Sequence, residues 1–410
     1  RGMEGHGWTV LAAVLVGLVL WVLSLRVIRV DHLGSYGLLA VLPAVWFAAL
    51  ALVTFAAVGA LAAARPAGVV LACAGVALAL VLYATIPAVA DMPQYAYVYK
   101  HIGVTRYIEA HHGVDPSIDI YHRWPGFFAL GALFGEVAGQ PNPVSFAAWA
   151  EPLFAVIDLF LVVALARAVV GGTRVPWFAG YLFTAANWIG QNYFAPQAIG
   201  FTLALAIHVL VVGQLTGNGA TLGSGRRGRL LRRLLGRSGA GADADAGVGG
   251  DAGAGAGAGV GGGVGGGGGG GVGVGGGGDV PARRDGGWPR SAVLAAVLLL
   301  TAAAVVSHQL TPYLIVLTVG ALTVLGAVRP RWLVVAMTAL AVAFLVPNLD
   351  YIRDHFGLFS GADAVANATN SGVYIELRKS AGKILYARAG LLLFAGAWLA
   401  AAIGALVLRR

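Results

Sequence analysis

The sequence predicts an all-α, polytopic transmembrane bundle of about ten spans, with interfacial helices on its outer face and a disordered Gly-rich cytoplasmic linker. Three observations carry this. Of the 410 residues, 58% are hydrophobic and only 11% charged, whereas a soluble domain draws on about 25% charge for its surface. The apolar residues come in blocks close to the ~20 that a helix needs to cross hydrocarbon. Residues 216–289 then break the pattern with basic and Gly-rich sequence that has nothing to bury.

The first block, 8–28, is long enough to span and lacks a small-residue cleavage site, so it reads as a retained helix and not as a cleaved leader. Blocks at 38–62 and 67–90 follow. The apolar stretch 127–137 is too short to cross and reads as interfacial or re-entrant. Blocks at 150–170, 176–194 and 197–215 complete an N-terminal module, 1–215. After the linker, blocks at 291–308, 312–328, 331–347 and 389–408 make a C-terminal module, 290–410. The linker opens with Arg226, Arg227, Arg229, Arg232 and Arg233 and runs into nearly pure Gly, Ala and Val. No strand precedes its glycines and no helix opens on them, so they do not form a phosphate loop.

The net charge of +9 excludes little by itself, but its placement argues against a nucleic-acid partner. Nine of the 27 Lys and Arg residues lie between positions 226 and 290, and the others flank apolar blocks, as interfacial anchors do. A single cysteine, Cys73, rules out an internal disulfide and a Cys-based zinc site. If the basic linker is cytoplasmic, Arg65, Arg167, Arg174, Arg329 and Arg331 fall on its side and both ends of the chain lie inside. The opposite, extracytoplasmic face receives 31–37, 91–125, 191–197, 307–312 and 347–388, which hold most of the His, Asp, Asn, Gln and Tyr outside the spans.

Asp91 stands where a span leaves the bilayer, a depth at which a carboxylate is shielded and suited to general-base work. With Pro93 and Gln94 it also fits a capping box at the start of a helix, which would place Tyr95 and Tyr99 on its face. Glu109, His111 and His112 close that helix before Gly113, a C-cap residue. Adjacent histidines point to different faces, which disfavours a metal site from His111, His112 and His122, and the sequence requires no divalent ion. His122, Arg123 and Trp124 precede the short apolar helix: Arg123 offers a planar fork for phosphate, and Trp124 a ring for a sugar or for anchoring. Gln191, Asn192 and Gln197 bring more amides to a hairpin than a turn requires. His308 and Gln309 end one span, and Thr311-Pro312 reads as the N-cap and first residue of the next. Asp350, Arg353, Asp354 and His355 begin the last outer segment. Arg378, Lys379 and Lys383 supply cations beside the headgroups, suited to a lipid phosphate or to anionic lipid. The sequon at Asn367 is discounted as a chance match.

This arrangement resembles the GT-C superfamily, membrane glycosyltransferases that use polyprenyl-phosphate sugars. The likeness lies in the many spans, the outer segment opening on Asp91, the interfacial helices after it, and the segments His122-Arg-Trp-Pro-Gly126 and Ser307-His-Gln-Leu-Thr-Pro312. The sequence departs from the family in having two extra spans before the acidic segment, and Met92 where a second acid is usual. The resemblance implies inverting transfer of a sugar from a polyprenyl-phosphate donor to an extracytoplasmic acceptor, with membrane lipid as surroundings. Asp91 would be the base, Arg123 or the Arg378, Lys379, Lys383 group would hold the donor phosphate, and Gln191, Asn192 and Gln197 would bind the sugar. Two rival classes are a lipid or solute transporter or flippase, and a non-catalytic scaffold that docks through the linker. A transporter calls for ionisable groups inside the spans, where only Asp158 stands out, and this disfavours coupled transport.

Overall fold

The computed structural model describes residues 5–187, 192–216, 288–356 and 381–407. Gln191, Arg378, Lys379, the sequon and nearly all of the linker lie outside the described residues, as does the side chain of Lys383. Among the described residues the chain is helical, with two isolated bridges and no strand.

Six helical stretches are long and apolar enough to cross a membrane: Gly5–Leu25, Ala44–Ala62, Ala150–Val170, Pro196–Leu215, Arg290–Ser307 and Trp332–Asp354. Their outward faces are largely apolar. On α1 (Gly5–Leu25), Val10, Val14 and Trp21 pack inward while Leu15, Val16, Val19 and Leu23 are exposed. A helix with Leu and Val on its outside is stable in hydrocarbon and not in water.

Three apolar clusters organise the fold. The first joins α1, α2 (Ala44–Ala62), α3 (Gly68–Tyr83), α9 (Ala150–Val170) and α10 (Arg174–Ala186). Its helices approach through small residues, as membrane helices do. A Cβ on Gly180 would lie 2.5 Å from Val163 and 2.9 Å from Leu159, and one on Gly75 would lie 2.9 Å from Leu159 and Tyr181. The second joins α11 (Pro196–Leu210) and its π-helical end to α12 (Arg290–Ser307), α13 (Thr311–Val324) and α14 (Trp332–Leu345). The block at 197–215, grouped by sequence with the N-terminal module, thus shares its core with the C-terminal helices. The third cluster caps one end. It joins α5 (Ala96–His111), α7 (Gly126–Val137), α8 (Val144–Ala147), the start of α9 and residues 194–198.

Some spans expected from the sequence are broken or shortened. The block at 67–90 stops at Tyr83 and resumes as α4 (Thr85–Val89). Pro87 cannot donate to the carbonyl of Tyr83, and its ring crowds that turn. The break is used: the indoles of Trp21 and Trp46 each donate to Thr85 Oγ1 at 3.0 Å, and that hydroxyl donates to Val81 O at 2.7 Å. The helices at 176–194 and 312–328 are 13 and 14 residues long, Arg174–Ala186 and Thr311–Val324.

The connections sort to two ends. At one, Arg174 donates to the carbonyls of Leu61, Ala63 and Ala64 at the C-terminal end of α2, and Arg329 N–H donates to Leu215 O. At the other, the polar end, lie the third cluster, the turn at 307–311, and the start of α16 (Ala381–Val407), whose Gly382 N–H reaches Ser35 O.

Candidate functional site at the polar end

The segment after α4 does not start a helix at Asp91. Residues 91–95 are irregular and α5 begins at Ala96, with Tyr95 as its N-cap and no side-chain cap. Two forces defeat the expected capping box. Pro93 disfavours helical backbone at Met92, and Gln94 spends its amide elsewhere, donating to Glu151 Oε2 at 3.0 Å. Asp91 therefore stands outside the helix, exposed, with no hydrogen bond or ion pair to a described residue, and shares no helix face with Tyr95 and Tyr99. At the far end of α5, His112 and not Gly113 takes the left-handed position, at φ 50°, donating its N–H to Ile108 O.

The carboxylate that the fold gathers groups around is Glu151, in the first turn of α9. It is buried and accepts from Gln94 and from the Tyr95 hydroxyl at 3.3 Å. Asn192 Nδ2 donates to its main-chain carbonyl at 3.2 Å, while Asn192 Oδ1 is buried without a partner. Tyr95 lies against Tyr193, ring centroids 4.8 Å apart, and Gln197 donates to the Tyr193 hydroxyl at 3.0 Å. His101, buried on α5, stacks on Tyr193 and donates from Nδ1 to Phe194 O at 2.7 Å. Burial holds the His101 imidazole below its ordinary range, with the bond to Phe194 opposing. Glu151 and His101 were not singled out in the sequence. An acid followed by Pro152 in the first turn of a span is the signal that marks Glu151.

The segment His122–Gly126 is fixed by its own surroundings. Asp119 caps α6 (Ile120–Arg123), accepting from the N–H groups of Tyr121 and His122, and pairs with Lys100 at 3.2 Å. His122 is buried, takes the Asp115 N–H on Nδ1 at 3.2 Å and packs edge-on to Tyr107. Two hydrogen bonds from Ser117 keep Asp115 below the usual carboxylate range. Arg123 donates from Nε to Pro116 O at 2.9 Å and from Nη1 to Asn348 Oδ1 at 3.4 Å, and lies 4.5 Å above the Tyr351 ring. Trp124 is buried edge-on to Phe344, so its ring faces are spent on packing. Gly126 admits the end of α12, since a Cβ there would lie 2.6 Å from Val306 and 2.7 Å from Ser307.

Leu310 and not Thr311 is the N-cap of α13, without a side-chain cap bond, and His308 takes the free N–H of Thr311 instead. Its Nδ1 accepts the Thr311 N–H at 3.2 Å and contacts the Thr311 hydroxyl at 2.8 Å, at the start of α13. An accepting Nδ1 requires the neutral ring, and burial pushes the imidazole down to about 4. Gln309 follows it, half-buried. The larger groove at this end, between α5 and α7, is lined by none of Asp91, His122 or His308. Packing thus brings His122–Gly126, residues 192–200, the 307–311 turn and Asn348–Tyr351 together, whereas Asp91 is exposed and touches none of them through a hydrogen bond or ion pair. Among the described residues no three His, Cys, Asp or Glu groups form a metal-holding cluster.

Arg123→Lys is expected to impair the protein more than Arg353→Lys. A point charge cannot reproduce two directed bonds and a stacked plane, whereas Arg353 is exposed and, among the described residues, pairs with Asp350 and Asp354 on its own helix, α15 (Leu349–Phe356). Melting temperatures of the two purified variants check this, and equal losses would contradict it.

Fold and site together define an all-helical membrane protein with a polar layer at one end. No protein-family model, no curated protein and no solved structure matches the chain significantly.

Proposed function

We propose that this protein is a membrane glycosyltransferase that moves a sugar from a polyprenyl-phosphate donor to an acceptor on the extracytoplasmic face. The observation that supports it is the meeting of four separate polar connections in one layer, with the exposed Asp91 three residues before Gln94, which bonds Glu151 and through it joins Asn192. In this reading about ten helices cross the cell membrane, counting the shorter α3, α10 and α13 and the final α16. The basic linker and both ends of the chain are cytoplasmic and the polar end is outside.

The Asp91 carboxylate takes the proton of the acceptor hydroxyl. That oxygen bonds to the anomeric carbon as the carbon–oxygen bond to the carrier breaks, and the electron pair leaves on the polyprenyl phosphate, with inversion. The negative charge builds on the leaving phosphate, so cations there contribute most. Arg378, Lys379 and Lys383 supply them in sequence. Arg123, engaged with Pro116, Asn348 and Tyr351, shapes the polar layer. The test is release of polyprenyl phosphate from a panel of polyprenyl-phosphate hexoses by the protein in liposomes. Release that depends on an added acceptor is expected, and its absence across the panel would remove the reading.

One observation favours a second reading, coupled transport. Glu151 and Asp158 lie seven residues apart on α9, hence on one face, and both are buried. Asp158 accepts from Thr202 on α11 at 2.7 Å, and neither acid pairs with a cation among the described residues. Acids so placed in a membrane commonly serve ion or proton pathways.

A further inference from the structure

The strongest feature outside the polar layer is an open groove of about 810 Å³ between α5 and α7. Arg106 and Glu109 line it from α5, His112 from just past that helix, and Leu133 and Glu136 from α7. Two properties decide what it fits. The first is electrostatic. It has two carboxylates against one guanidinium, so an anionic group is disfavoured and a cation, or a dipolar group led by its cation, is favoured. Glu109 Oε1 is buried without any hydrogen-bond partner, against the bare Gly135, where a Cβ would approach it to 3.0 Å. Burial raises the Glu109 carboxyl above its usual range, with Arg106 opposing. An acid in that state lacks a hydrogen-bond donor.

The second property is access from lipid. Leu130, Leu133, Phe134 and Val137 of α7 are all more than half exposed, Val137 at 80%. They fall at i, i+3, i+4 and i+7, one continuous apolar stripe on a helix too short to span. Such a stripe lies in the headgroup–acyl boundary. Leu133 belongs to both stripe and groove, so a ligand with its chains along α7 places its head among Arg106, Glu109 and Glu136.

We propose that this groove binds the head group of an aminophospholipid, its ammonium on Glu109 and Glu136 and its phosphate on Arg106. An ammonium brings N–H donors to the unpartnered carboxylate, and charge-assisted bonds of this kind are about twice as strong as neutral ones. The adjacent phosphate accounts for the single guanidinium. The site is separate from Asp91 and does not depend on sugar transfer.

The experiment is native mass spectrometry of the full chain in mild detergent with added dioleoyl phosphatidylethanolamine, phosphatidylcholine or phosphatidylglycerol. Phosphatidylethanolamine is expected to be retained at about tenfold lower concentration than either other lipid, since each tenfold step is ~1.4 kcal/mol, within reach of one charge-assisted bond. Glu109→Gln should abolish that preference. Glu136→Gln, at an exposed position, should reduce it with the fold intact and decides the matter if the first variant does not fold. Phosphatidylglycerol held as tightly as phosphatidylethanolamine would overturn the proposal. So would equal retention of phosphatidylcholine, which has the charge without the N–H donors, or a preference unchanged in both variants.

Discussion

Asp91→Asn is expected to lower sugar transfer by roughly 100-fold or more, the contribution of a positioned general base, with the fold unchanged. The structure sharpens this test. Had Asp91 capped α5, Ala would have cost about 1 kcal/mol there and Asn nearly nothing. Tyr95 occupies the cap position and Asp91 bonds to no described residue, so both variants should keep stability within about 0.5 kcal/mol of the parent, as at other exposed sites. Loss of activity in either variant then reports on chemistry and not on folding. The readout is polyprenyl phosphate released per unit time, beside a melting curve in the same detergent. An Asn variant that transfers at the parent rate removes Asp91 as the base. Asp115, committed to Ser117 by two hydrogen bonds, would be a poor substitute.

Much of the fold was legible because hydrocarbon imposes a local rule: every backbone group must be satisfied within its own helix, over a fixed length. That rule locates α1, α2, α9, α11, α12 and α14 from apolar length alone. It also marks the 12-residue α7 as too short to cross. It fails where another element satisfies the backbone. The break before Thr85 is held by two indoles from α1 and α2, and no window around residue 85 contains Trp21 or Trp46.

The site was legible as segments but not as contacts. His122, Arg123 and His308 sit at the polar end as their positions imply, yet each side chain is directed by a partner remote in sequence or hidden in the turn. Arg123 reaches Asn348, 225 residues away. His308, and not Thr311, supplies the acceptor at the start of α13, because a half-buried neutral imidazole can accept the Thr311 N–H. The fate of Gln94 is the clearest case. Its spacing from Asp91 fits a capping box, but a buried acid 57 residues on is the acceptor it serves. An unsatisfied buried carboxylate costs more than an uncapped exposed helix end, so the tertiary contact wins.

Glu151 separates the two functional readings and carries the largest expected stability effect. Glu151→Ala removes the acceptor for Gln94 and Tyr95 and leaves a void among Tyr95, Tyr193 and Ala147, which border the small cavity there. Gln94 is exposed and Tyr95 half-buried, so water replaces much of the lost acceptor and the void carries most of the cost, a loss of about 2–3 kcal/mol. Glu151→Gln keeps the shape and one acceptor oxygen, and should cost less than about 1.5 kcal/mol. Equilibrium unfolding in mixed detergent measures both, and an Ala variant as stable as the Gln variant would contradict the buried network. Function then divides on the Gln variant, which is folded but cannot carry a titrating proton. Sugar transfer should proceed at the parent rate if the protein is a transferase based on Asp91. If it is a coupled transporter, the same substitution should abolish proton-driven uptake into liposomes, and Asp91→Asn should leave that uptake intact. The two variants assayed side by side give opposite patterns under the two readings.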